Sequence, residues 1–189
     1  MDSHLVIEKI GSEEALRALA LPEDIRAVEG VSNTNRRCEI LSWRAVVRRE
    51  LGSEVHIFYD DYGAPNVAMP NTYISVSHSK GVVAVLFSDY PCAVDIEQRS
   101  RDFRNVAPKY LSTAEQRIAE EYDLYAEMWS AKEALYKYYR KGSLDLVKHI
   151  SIVEYVADKH SLVATILGSE PISVYLQNEG NYVVASIRR

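Results

Sequence analysis

The sequence predicts an α+β fold made of two similarly built halves, and three observations predict it. A long amphipathic helix over 33–51 precedes a strand–turn–strand unit, Ile74 to Leu86, around Gly81. A second helical region, 112–140, precedes strands that end in another such unit, Val174 to Ser186, around Gly180. The two halves of the chain thus repeat one order, main helix then hairpin, as a weak internal repeat. The expected division is 1–92 and 93–189, each half a small β-sheet with a main helix packed on it.

The elements follow in order. Leu5 to Ile10 reads as a first strand. Ser12 caps a short helix with Glu13 and Glu14 in its first turn, where the helix dipole favours acids. Pro22 opens another short segment. In the helix over 33–51, Ile40, Trp43, Val47 and Leu51 form the buried stripe, Arg37, Arg44 and Arg48 share a different face, and Gly52 stops it. His56 to Tyr59 is a short strand, Asp61 to Pro70 a turn-rich loop, and Tyr73 to Ser88 two strands around Lys80 and Gly81. Cys92 to Glu97 is a strand and Asn105 to Leu111 a short helix. Ser112 to Arg140 is helical with a break near Asp123, ended by Gly142. Strands follow over 150–156, 161–166, 172–177 and 182–187.

Composition narrows the function classes. The 189 residues, 47% hydrophobic and 26% charged, suit one large or two small globular domains. No apolar run approaches the roughly 20 residues that span a bilayer. Asp2 and Glu8 argue against a signal peptide at the start, and no membrane partner is expected. Cys38 and Cys92 match no metal or disulfide spacing and read as core thiols of a cytoplasmic protein. A net charge of −5, from 22 basic and 27 acidic residues, argues against a nucleic-acid partner.

Three constellations carry chemistry. Asp95 and Glu97 are two apart on a strand and share a face, so they repel unless a cation lies between them; an exposed strand edge is the plain alternative. Trp129, Glu133 and Lys137 line one helix face at i, i+4 and i+8, with Lys132 as a second cation beside the acid. A surface Glu–Lys pair is the alternative there. Ser75, Ser77, His78 and Ser79 end a strand with hydroxyls and an imidazole suited to a phosphate, or merely form a polar hairpin turn. Taken together, Asp95, Glu97 and Glu133 can hold one hard cation such as magnesium. The Arg37, Arg44 and Arg48 face, with His78 and Lys137, can surround a diphosphate with positive charge.

These segments resemble the 4′-phosphopantetheinyl transferases, in particular the monomeric, two-half type that acts on peptide and polyketide synthases. The resemblance lies in Ile-Ser-Val-Ser-His-Ser at 74–79, Val-Asp-Ile-Glu at 94–97 and Trp-Ser-Ala-Lys-Glu-Ala-Leu-Tyr-Lys at 129–137. Lys109-Tyr110-Leu111-Ser112 followed by Glu115 is similar to the stretch between them, and the likeness covers about residues 33 to 155. It implies pseudo-twofold halves with the active site in the cleft between them, the first half contacting coenzyme A and the second carrying a magnesium site and the catalytic helix. It implies Mg2+ on Asp95, Glu97 and Glu133. Glu133 matches the base for the acceptor serine, and Lys137 matches a lysine at the coenzyme A phosphates. Ser77 and His78 match contacts to the nucleotide 3′-phosphate, and Arg37 and Arg44 match basic residues of the first long helix.

The implied reaction moves phosphopantetheine from coenzyme A to a serine of an acyl or peptidyl carrier protein and releases 3′,5′-ADP, with the enzyme a monomer. The alternative is a non-catalytic relative that binds coenzyme A or the carrier. Two positions depart from the family pattern: Gly63-Ala64-Pro65 stands where Gly-Lys-Pro is frequent, and Ala93 stands where glycine is usual.

Overall fold

The computed structural model describes residues 3–188. Its fold is α+β. Strand β1 (His4–Lys9) leads into α1 (Glu13–Leu19), whose N-cap Ser12 accepts from the Ala15 amide, and then into α2 (Pro22–Arg26). The longest helix, α3 (Thr34–Leu51), is capped by the Asn33 side chain and ends at Gly52. Gly52 has φ of 105°, which a side chain would resist. Next come β2 (Ile57–Tyr59), β3 (Pro65–Val67), β4 (Tyr73–Ser79) and β5 (Val82–Ser88). The remaining chain is β6 (Ala93–Gln98), α4 (Thr113–Tyr122), α5 (Tyr125–Tyr139), β7 (Ile150–Val156), β8 (Ser161–Ile166), β9 (Ile172–Glu179) and β10 (Tyr182–Ile187).

All strand pairing is antiparallel. One sheet has the order β1-β5-β4 and the other β6-β10-β9-β8-β7, with β2 and β3 as a separate pair. Every strand of the first sheet lies before residue 89, and every strand of the second after residue 92. The two sheets differ in size, three strands against five.

Alternation places each face. On the first sheet Ile74, Val83, Val85 and Phe87 pack under Trp43, Val46 and Val47 of α3. The opposite face, Val82, Ala84 and Leu86, packs against Val94, Ile96 and Val184 of the second sheet. The largest core lies under α5, where Met128, Ala131, Ala134 and Leu135 meet Ile150, Leu162, Val174 and Val183. All eight are fully buried, and truncating the large ones to Ala costs about 2–5 kcal/mol each.

Three local expectations change, and the expected break near Asp123 is found. Strand β3 arises inside the expected loop 61–70, because Pro65 and Val67 pair with Tyr59 and Ile57. The helix expected over 105–111 shrinks to a 3-10 turn at Ala107–Lys109, where Pro108 removes an amide donor. The last long helix stops at Tyr139, with Arg140 rather than Gly142 as its left-handed cap. The break near Asp123 is a left-handed residue, φ 53°, separating α4 from α5. Among the described residues, no helix is long and apolar enough to cross a membrane.

Candidate active site

β6 and α5 lie side by side and supply the acids. Asp95, only 4% exposed, accepts from three side chains, two on Oδ1 and one on Oδ2. Ser77 Oγ donates to its Oδ1 at 2.9 Å, Lys137 Nζ to the same oxygen at 2.8 Å, and Ser130 Oγ to Oδ2 at 2.8 Å. Glu97 accepts from Trp129 Nε1 at 3.0 Å, Arg101 Nη1 at 2.6 Å and Ser79 Oγ at 3.4 Å. The Trp129 ring packs edge-on against Tyr110, so the aromatic one turn before Glu133 is held by the core below it.

Glu133 is different. It shares the α5 stripe with Trp129 and Lys137, yet no described residue donates a hydrogen bond to it. Burial, then the negative charge of Asp95, pushes its carboxyl above the usual range; Glu97 adds to this, and Lys137 and Arg101 oppose it. Three acids therefore feel one another's charge. Among the described residues no three His, Cys, Asp or Glu side chains are gathered as an ion-holding cluster, since Asp95 and Glu97 each turn to a cation of the protein. By chemistry the set does fit a hard divalent cation: its donors are carboxylate oxygens, and one of the three is left unpaired.

A cleft of about 610 Å³ opens beside Asp95 and Lys137. Ser77, His78, Trp43 and the turn Gly63-Ala64-Pro65 line it from the first sheet's side, and Tyr136, Lys137 and Arg140 from α5. His78 Nε2 lies 2.6 Å from Arg36 Nη1 and its Nδ1 lies 3.4 Å from Glu39 Oε2. A guanidinium only donates, so Nε2 is the acceptor and the ring proton belongs on Nδ1. Partial desolvation lowers the His78 pKa, helped by Arg36 and Lys137 and opposed by Glu39 and Asp95.

Of the expected site residues, Ser77, His78, Asp95 and Lys137 line the cleft, Glu97 and Glu133 lie outside its lining, and Arg37 and Arg44 turn to other partners. Arg37 forms a two-pronged pair with Glu13, 2.8 Å at each nitrogen, and caps the Val31 and Ser32 carbonyls. Its hydrogen bonds, with those of Arg17, hold the Glu13 carboxyl down at about 2. Arg44 is 1% exposed and bonds Asp24 at 2.6 Å and Glu23 at 2.8 Å. Beside Lys137, the cations that line the cleft are Arg36 and Arg140. Arg140 reaches across to Asn66 Oδ1 at 3.0 Å and the Ile74 carbonyl at 2.9 Å. Arg36 was hidden in a helix with four other arginines. Arg140 was hidden because its direction depends on the left-handed cap.

Lys132 is likewise no second cation beside Glu133. It is fully buried and points the other way, to Glu115 Oε1 at 2.6 Å and to the Leu146 and Ile150 carbonyls at 2.8 and 2.6 Å. Glu115 also accepts from the Ile152 and Ser112 amides. The pair joins α4, α5 and β7.

No individual curated protein matches the chain. The family model of the 4′-phosphopantetheinyl transferase superfamily does, over residues 91–186. That match takes in β6, α4, α5 and β7–β10, and so holds both the acid pair and the Trp129–Lys137 stripe. With half of its length matched and the acids facing one another across β6 and α5, the chain belongs to the 4′-phosphopantetheinyl transferase superfamily.

Proposed function

We propose that this transferase moves the 4′-phosphopantetheine group of coenzyme A to a serine hydroxyl of an acyl or peptidyl carrier protein and releases 3′,5′-ADP. The observation that carries the reading is the Glu133 carboxyl, to which no described residue donates, set close to Asp95 and Lys137, which themselves line the cleft. A carboxylate made more basic by burial and by neighbouring acids is suited to take a proton. In this reading Glu133 accepts the proton of the carrier serine. The serine oxygen attacks the β-phosphorus, and the bond from that phosphorus to the departing 3′,5′-ADP oxygen breaks. Lys137 opposes the negative charge that gathers on the phosphoryl oxygens. Arg36 and Arg140 supply donors for the nucleotide phosphates, with His78 steadying Arg36. Arg36 and Arg140 thereby stand in for the family lysine replaced by Ala64.

Members of the superfamily generally use coenzyme A and magnesium. Asp95, Glu97 and Glu133 would hold the magnesium ion, which neutralises diphosphate charge when bound. In the same reading the chain divides at residues 92 and 93, the cleft lies between the two halves, and one chain acts alone as a monomer. A reducing cytoplasm suits the two buried free thiols, Cys38 and Cys92, the latter pushed up to about 12 by burial.

Incubation with coenzyme A, magnesium and an apo-carrier protein tests the reading by mass spectrometry of the carrier. The expected result is a gain of one phosphopantetheine, lost with Glu133→Ala. Tight coenzyme A binding with no gain on any carrier would instead favour a binding-only relative.

A further inference from the structure

We propose that Ser77 and Ser79 are positioning residues, whose hydroxyls aim the Asp95 and Glu97 carboxylates while joining the edge of one sheet to the edge of the other. The inference rests on the function proposed above and extends it to residues outside the acid set.

β4 is an edge of the three-stranded sheet and β6 an edge of the five-stranded one. The two edges meet without forming a ladder. Instead the amides of Val94, Ile96 and Gln98, two apart along β6, each find a serine hydroxyl two apart along β4. Ser75 Oγ accepts from Val94 at 3.0 Å, Ser77 Oγ from Ile96 at 3.3 Å and Ser79 Oγ from Gln98 at 3.2 Å. The period of two on both strands makes this register possible.

A hydroxyl accepts and donates at once. Having accepted the Ile96 amide, Ser77 still has a proton to give to Asp95, and it does so at 2.9 Å. Ser79 does the same for Glu97 at 3.4 Å. A backbone carbonyl from β4, the partner in an ordinary sheet, would satisfy the amides and leave the acids without these donors. The serines also differ from Lys137 and Arg101, which hold the same acids through charge. A neutral donor fixes where the carboxylate points and leaves its negative charge available for a cation.

The three rungs form an internal series. Ser77 is buried and its carboxylate bond is short; Ser79 is half-buried and its bond is long; among the described residues Ser75 bonds no acid. Each Ser→Ala variant is therefore made in the full chain and titrated with magnesium alone by calorimetry, beside a melting curve. All three variants should melt lower, because each strands a β6 amide. Ser77→Ala should bind magnesium about tenfold more weakly, in line with the usual loss on removing a partner of a metal-binding carboxylate. Ser79→Ala should show a smaller loss, recovered by Ser79→Thr, and Ser75→Ala should stay within about twofold.

Equal affinities across the series, or a loss for Ser75→Ala matching that of Ser77→Ala, would overturn the proposal. So would a native protein that binds no magnesium. If Ser77→Ala does not fold, Ser79→Ala against Ser79→Thr and Ser75→Ala decides by the same criterion. Transfer by the native protein with a flat serine series sinks the positioning role alone. A graded series with no transfer to any carrier sinks the proposed function alone.

Discussion

Two charged clusters meet their charges differently, one between α2 and α3 away from the cleft and one between β6 and α5 beside it. In the α2–α3 cluster Asp24 is 2% exposed between Arg44 and Arg48, with Glu23 alongside. Each carboxylate oxygen of Asp24 meets a guanidinium, one at 2.6 Å from Arg44 and one at 2.6 Å from Arg48, and the Leu21 amide adds a further donor. In the β6–α5 cluster three acids face two cations, and Glu133 keeps no donor. The first cluster is saturated and the second is short of positive charge. That deficit, rather than the number of charges, separates a site that waits for a ligand from one that holds the chain together.

The largest expected effect breaks the comparison from the reactive side. Glu133→Gln keeps the shape of α5 and removes the proton acceptor, so transfer should fall about 10³-fold in a carrier mass-gain assay. Its melting temperature should stay near native, because no described residue donates to Glu133. Next comes the saturated side. Asp24→Ala leaves two guanidinium groups, one of them fully buried, without their acid, which costs about 3–5 kcal/mol. Calorimetry should show melting lowered by about 10 °C, with coenzyme A affinity unchanged in the fraction that stays folded.

Acid sharpens the same contrast. Arg48 and Arg44 hydrogen bonds lower the Asp24 pKa despite the opposing effect of burial, the largest single influence on it. A depressed carboxyl contributes stability above its unfolded value of about 3.9 and loses it as pH falls through the lower folded value. Melting should therefore drop steeply below about pH 4 in the native protein and more gently in Asp24→Asn. The smallest effect concerns which arginines serve the ligand. Arg36→Ala should weaken coenzyme A binding about tenfold, the loss of one charged hydrogen bond. Arg37→Ala should lower melting and leave that affinity within about twofold.

Local signals in the sequence were strong wherever one residue type had one meaning. Ser12, Asn33 and Ser112 cap the helices their spacing promised, and Asp123 breaks the last helical region where expected. The Asp95–Glu97 pair and the Trp129–Glu133–Lys137 stripe were legible because period 2 and period 3.6 settle which side chains share a face. Direction across the fold was not legible. Five arginines crowd α3, and the fates of Arg37, Arg44 and Arg48 depend on Glu13, Glu23 and Asp24, about 20 residues upstream on short helices. Lys132 and Glu133 are neighbours in sequence but leave α5 on different sides. The serines of β4 looked like phosphate donors, yet their main partners are amides about 19 residues away on another sheet.

The Lys132 anchor has a consequence for how the cleft can change. Its ammonium pins the Leu146 and Ile150 carbonyls, and Asp145 Oδ1 gathers the Val147 and Lys148 amides at 2.9 Å, so the return from α5 to β7 is fastened at its far end. The near end is fastened by Arg140, gripping Asn66 and Ile74. Only the short span 141–143 hangs between these two clasps, since Leu144 packs on the core, and its Gly142 and Ser143 form part of the cleft wall. New sequence or length can be spliced into that span to reshape the entrance for a different guest, while the reactive helix stays seated.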